Sequence, residues 1–189
     1  MALFSFGLLI IVTGFLALLG FYENGTESRV VQTAARNGIN SIVDSGRQAQ
    51  YFYYNNTAGV QALCMTHGST NSGPSSIFYV SGTQLNEGGW NNTTACVPAS
   101  AISPASVTSP DAQVKALLLD PTDNIGGSLI PSCTTGPCPS TQLVKSIRIT
   151  LKVTSNVNDL DGTGSNCSPS APAYCVVTVL STTLTAGEL

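Results

Sequence analysis

Charge is what this chain has least of. Only 9% of its 189 residues are Asp, Glu, Lys or Arg, against roughly a quarter in an ordinary soluble domain. Seven Lys and Arg residues within a net charge of −3 speak against a nucleic-acid footprint, which needs clustered cations to displace phosphate counterions. The single histidine, His67, excludes histidine-based metal clusters and leaves one imidazole as a candidate base. No Cys-x-x-Cys pair and no glycine-rich phosphate loop ending in Lys-Ser/Thr occurs, so the usual zinc and nucleotide signatures are missing. The expectation is a protein that is not an enzyme, holds no metal or cofactor and contacts no nucleic acid directly.

Hydrophobic residues make up 42% of the chain, so an excess of apolar residues does not explain the missing charge. Ser, Thr, Asn and Gly stand in its place. Val, Ile and Leu are too frequent for a disordered tail. Six cysteines, an even number, suit an oxidising compartment.

The charge is also unevenly placed. No charged side chain occurs from Met1 to Tyr22, and the first is Glu23. The run MALFSFGLLIIVTGFLALLGFY has the ~20 apolar residues that a helix needs to cross a bilayer core. A cleaved secretory signal would open with Lys or Arg and end in a small-x-small site, whereas this run has no basic residue and Ala17-Leu18-Leu19-Gly20 is a poor match. A plain membrane anchor is the second reading, although anchors are normally oriented by basic flanks. The third is that the chain starts where a protease left it, a basic leader having been removed and the apolar helix retained.

The residues after Tyr22 favour the third reading. Val31, Ala35, Ile39, Ile42 and Ala49 recur at helical spacing, widened by Val30, Ala34 and Val43, with Arg29, Arg36, Asp44 and Arg47 between them. No proline precedes Pro74. The apolar and amphipathic runs are therefore predicted to form one helix from about Met1 to about Tyr54. Glycines at 14, 20, 25, 38 and 46 each weaken it by about 1 kcal/mol relative to alanine. The Gly20–Gly25 stretch is the expected place for a break.

An uncharged apolar helix that continues as an amphipathic helix and leads into a β-rich, cysteine-containing domain resembles a type IV pilin or pilin-like filament subunit. The resemblance implies that a prepilin peptidase removes a short leader of the class III signal-peptide type and that the new N-terminus, Met1, is methylated. It implies a helix that sits in the inner membrane before assembly machinery extracts it. The helix then packs against identical subunits through Met1, Leu3, Phe4, Ser5, Phe6, Leu8, Leu9, Ile10, Ile11, Phe15, Leu18, Leu19 and Phe21. The implied location is an extracellular filament on the cell surface, where the outer domain sets adhesion or surface character. The chain departs from the family at Ser5, where a glutamate usually pairs with a neighbour's N-terminal amine. Ser5 offers only a neutral hydrogen bond, roughly half as strong as a charge-assisted one. In this it resembles certain minor pilins, pseudopilins and archaeal pilins. The alternatives are a minor pilin or pseudopilin that primes such a filament, and a single-pass membrane-anchored extracytoplasmic adhesin or binding domain.

The expected organisation is an apolar half-helix at 1–22, an amphipathic half-helix at 23–54 and a loop-rich β-sheet domain at 55–189. The fold class is α+β, with the long helix packed on a small antiparallel sheet and disulfides stapling the loops. Between Asn55 and Pro110 the chain reads as loop-rich with short apolar runs such as SSIFYVSG. QVKALLLD, from Gln113 to Asp120, is a short helix or a buried strand. Leu143 to Val153 alternates as a half-buried strand, and Tyr174 to Leu184 is a second β-branched run able to return beside it.

Six cysteines allow fifteen pairings, among which proximity suggests Cys133–Cys138, Cys167–Cys175 and then Cys64–Cys96. Asp120 with Asp123, and Asp159 with Asp161, are close carboxylate pairs. The latter's loop, NDLDGTG, lacks the bidentate glutamate of an EF-hand, so solvated turn carboxylates are the default. Asn24, Asn55, Asn91, Asn92 and Asn166 open Asn-x-Ser/Thr sequons, with Asn55 and Asn91 expected in exposed loops.

Overall fold

The computed structural model describes residues 2–57, 60–67, 75–91, 96–122, 144–162, 164, 166–171 and 175–186, with helix side chains described from Phe6 onward. The chain opens with α1, Ala2–Gly46, an unbroken helix of 45 residues, ~68 Å at 1.5 Å per residue. The break expected at Gly20–Gly25 is absent. Each glycine costs the helix about 1 kcal/mol, but propagation is cooperative and isolated weak positions do not stop it. Thr26 stays within the helix, its hydroxyl donating back to the carbonyls of Tyr22 at 3.2 Å and Glu23 at 2.8 Å.

The helix ends at Gly46, short of the predicted Tyr54. Two turn bonds, Gln48 N to Ser45 O and Ala49 N to Gly46 O, wind it down, and Gln50 N then donates to Thr66 O in a strand. The aromatic run Tyr51-Phe52-Tyr53-Tyr54 favours a pleated, half-buried surface over a helix. Ala49, counted on the helical stripe, is buried by this turn.

Eight strands follow: β1 Tyr51–Thr57, β2 Val60–Thr66, β3 Ser75–Ser81, β4 Gln84–Trp90, β5 Ala101–Ser106, β6 Gln113–Pro121, β7 Ser146–Thr154 and β8 Val177–Thr185. The first five form one sheet in sequence order and the last three a second, with every pairing antiparallel. The chain between Asn55 and Pro110 is thus more strand than loop. Its strands are only six or seven residues long, and polar residues at their ends and on one face hide them from a composition-based reading. Gly82, with φ 60°, lets a two-residue turn join Ser81 to its pairing partner Gln84. QVKALLLD resolves as strand β6. The predicted strand from Leu143 is β7, preceded by Val144, whose backbone exchanges hydrogen bonds with Phe52 of the first sheet. Leu143 itself lies outside the described residues. β8 returns antiparallel beside β7 with Leu180 opposite Leu151, as the β-branched run suggested.

The second half of α1 is wedged between the sheets. Val31, Ala35 and Ile42 are fully buried with Phe52, Leu63 and Phe78 from one sheet and Leu117, Ile149 and Leu151 from the other. Gly38 is where the helix comes close to both sheets at once. A Cβ built there would lie 2.7 Å from a Leu151 methyl in β7 and 3.1 Å from a Leu85 methyl in β4. The far face of the five-stranded sheet carries a smaller core of Ala62, Cys64, Ile77, Tyr79, Trp90 and Cys96. The outcome is the expected α+β architecture, with two antiparallel sheets in the domain.

Candidate functional site

Two features outside the main core draw attention, and the larger is the first half of α1. Phe6, Leu8, Leu9, Ile10, Ile11, Phe15, Leu18, Leu19 and Phe21 are all exposed, with Ile11 at 72% and Phe21 at 76%. None of this stretch is buried against the domain. Among the described residues it is the one helical segment long and apolar enough to cross a membrane. From Ala2 to Tyr22 it spans ~31 Å, which matches a hydrocarbon core of about 30 Å. Met1 lies outside the described residues. Leu3, Phe4 and Ser5 have helical backbone, and their side chains lie outside the described set.

The second feature is a shallow cleft of about 620 Å³ between the C-terminal part of α1 and strands β3 to β5, lined by Ser41, Ser45, His67, Ser76 and Glu87 among others. Alternation along β4 puts Leu85 and Glu87 on the helix side and Trp90 on the other. The Glu87 carboxylate accepts from the Ser41 hydroxyl at 2.8 Å and the Ser45 hydroxyl at 3.3 Å. His67 Nε2 lies 2.9 Å from the Ser45 carbonyl oxygen. The Ser76 hydroxyl is buried without a hydrogen-bond partner. Both titratable groups are therefore directed at the helix, where they tie α1 to the five-stranded sheet. Sequence reasoning picked out His67 and passed over Glu87. Its one available signal was the two-residue step from the apolar Leu85.

The disulfides Cys64–Cys96 and Cys167–Cys175 form as proximity suggested, while Cys133 and Cys138 lie outside the described residues. Cys64–Cys96 anchors the smaller core beside Trp90, whose ring meets Tyr53 edge-on at 5.4 Å between centroids. Burial raises the Tyr53 phenol above its ordinary pKa, helped by Tyr51. Burial does the same to Tyr54, helped by the Asp120 carboxylate. Cys167–Cys175 closes the loop between β7 and β8. There Asp159 sits in a 3-10 turn, Val157–Asp159, and the Asp161 N–H donates to Asn166 O at 2.9 Å. Asp123 lies outside the described residues. No group of three His, Cys, Asp or Glu side chains converges among the described residues.

The sequons are not equivalent. Asn55 lies in β1 at 1% exposure, not in an exposed loop, and its amide nitrogen donates to Cys96 O at 3.3 Å. A glycan on that nitrogen would have no room, so the expectation for Asn55 is corrected. Its alternation with Tyr53, on the face carrying the smaller core, is what buries it. Asn91 and Asn166 are exposed, Asn24 is half-buried on α1, and Asn92 lies outside the described residues.

No known protein-family model matches the chain, and neither the curated proteins nor the solved structures contain a significant match to it.

Proposed function

We propose that this chain is a structural subunit of an extracellular type IV pilus-like filament, polymerising through its N-terminal helix. One observation carries the reading: a single continuous helix is buried on one face from Val31 to Ile42, yet leaves every described large apolar side chain from Phe6 to Tyr22 uncovered. Such a surface must be covered by lipid or by other helices. A filament supplies both in turn, lipid before assembly and identical subunits after it. Burial at ~25 cal/mol per Å² of apolar surface drives the second step once machinery delivers the subunit. The paired cysteines suit the outer face of the membrane and beyond. The contact between copies is heterologous, so repetition gives an open helical polymer.

The test is the state of the native protein. Filaments that pellet and are visible by electron microscopy are expected, built of a chain whose N-terminal peptide begins at a methylated Met1. Native material found only as membrane-bound monomer, with a formylated or unmodified initiator Met1, would overturn the reading in favour of a single-pass anchored extracytoplasmic domain. Correct processing with the chain present only at filament tips would favour the minor, priming subunit.

A further inference from the structure

The second half of α1 carries four charged side chains that the fold does not use. Glu23, Arg29 and Arg36 are exposed and Glu27 is half-buried, and none of the four forms an ion pair or side-chain hydrogen bond among the described residues. Their neighbours Asp44 and Arg47, by contrast, pair with each other at 3.6 Å.

Helical geometry explains why the four stay apart. At about 100° per residue, Glu23 and Glu27 lie within about 40° of each other around the axis, and Arg29 and Arg36 within about 20°. The two pairs are separated by between about 180° and 240°. The packed stripe of Val31, Ala35 and Ile42 runs between them on one side. The acid edge is continued down the helix by Glu87, because Ser41 and Ser45, which hold that carboxylate, fall at the same angles as Glu23 and Glu27. One subunit therefore presents an acidic edge on one flank and a basic edge on the other.

We infer that these edges are the two halves of a subunit–subunit contact, in which Arg29 and Arg36 of one copy meet Glu23 and Glu27 of the next. The inference rests on the filament reading and adds the register and polarity of assembly to it. A second copy is the occupant because the chain supplies both complementary halves beside a helix that already lacks its apolar cover. Opposite placement means that a copy satisfied on one flank leaves the other flank free, so the contact propagates instead of closing. Matching Glu23 to Arg29 and Glu27 to Arg36 offsets neighbouring helices by roughly 9–14 Å along the axis, at 1.5 Å per residue. The next copy, which supplies Glu23 and Glu27, is displaced toward the domain-bearing end of the helix. This pairing supplies, about five helical turns further along, the charged contact that Ser5 cannot make.

Reversing charge is the decisive experiment, because an exposed pair alone contributes little while like charges brought together in an interface cost far more. Full-length chains carrying E23K with E27K, or R29E with R36E, are compared with wild type for pelletable filament. Circular dichroism of the detergent-solubilised subunit checks that each variant is folded. Each double variant is expected to lose at least about tenfold in filament yield. The fourfold swap recovers wild-type yield within about threefold, and the two defective doubles co-assemble when expressed together. The fourfold variant retains lysines at 23 and 27, so its recovery also removes membrane orientation as the cause. Folded double variants that polymerise like wild type, or a fourfold variant that stays as defective as the doubles, overturn the register while leaving the filament reading intact. Wild-type protein that forms no filament brings down both.

Discussion

The two halves of α1 share one backbone and face different surroundings. From Phe6 to Tyr22 the large side chains are exposed around the whole circumference, whereas Val31, Ala35 and Ile42 further along are fully buried on one face. Glycines occur in both halves, but Gly14 and Gly20 in the first, like Gly25 just past the division, have no neighbour within 4 Å of a built Cβ, while Gly38 and Gly46 further along are pressed against leucines of the sheets. Helix formation is thus indifferent to the division. The division is set by where apolar residues fall around the axis, on every side or on one stripe. Glycine keeps its conformational cost in both halves and has a packing role only in the second.

A charge placed in the first half should have the largest effect. Ile11→Lys puts an ammonium near the middle of the apolar run, at about 2.5–3.5 kcal/mol against membrane insertion and with no counter-charge in a filament core. Loss of both membrane retention and polymer is expected, with the thermal unfolding of the domain unchanged. A shifted domain midpoint would mean that the first half also contacts the domain, contrary to its exposure.

The converse perturbation confines damage to the domain. Replacing Cys64 and Cys96 by serine opens a link across 32 residues, worth about 3.7 kcal/mol in the chain-entropy account, against about 2.5 kcal/mol for Cys167–Cys175, which spans 8. Urea unfolding in detergent should rank the two double variants in that order. The apolar half should stay helical in both.

Glycine-to-alanine changes should act with opposite sign in the two environments. Gly38→Ala forces a methyl to within 2.7 Å of Leu151 and 3.1 Å of Leu85, and overpacking of this kind costs about 1–3 kcal/mol, of which the better helix propensity of alanine returns up to about 1 kcal/mol. Gly25→Ala meets open space and should stabilise the helix by about 0.5–1 kcal/mol. Opposite signs in urea midpoints are expected, and equal signs would show that the helix is not wedged between the sheets as described.

What the sequence made legible follows from the range over which each signal acts. The helix, its change of character at Glu23, the β7–β8 pairing and the short-range Cys167–Cys175 disulfide are all expressed by neighbours or by simple periods, and Cys64–Cys96 follows as the pair left over. The helix end was misread because Ala49 keeps the helical spacing while its burial comes from a turn. The strands from Tyr51 to Ser106 were obscured because their inward residues, such as Phe52, Leu63 and Phe78, are outnumbered by hydroxyls and amides. Asn55 looked like a loop sequon since nothing local says that Cys96, distant in sequence, will cap its amide. Glu87 was invisible as a helix tie for the same reason, its partners Ser41 and Ser45 lying across the fold.

The gentlest probe is pH, and it reads β1, the first strand after the helix. Tyr53 and Tyr54 both have phenols raised above the ordinary 10.0, principally because burial disfavours the phenolate. A raised folded-state pKa means that the native state holds the proton more tightly than the unfolded chain. The associated stability is therefore fully present below pH 10 and is lost as pH climbs from the unfolded value through the folded one. Ultraviolet titration of the six tyrosines should show these two ionising late, together with a fall in the domain's unfolding midpoint above about pH 10. Asp120 adds to the Tyr54 shift, so Asp120→Asn should lower the Tyr54 value toward the ordinary one and leave Tyr53, which owes its smaller contribution to Tyr51, where it was. Because both tyrosines sit in the domain, the helicity of the apolar half should stay constant through the same alkaline range. A parallel loss of helicity there would mean that the two halves of α1 respond as one unit.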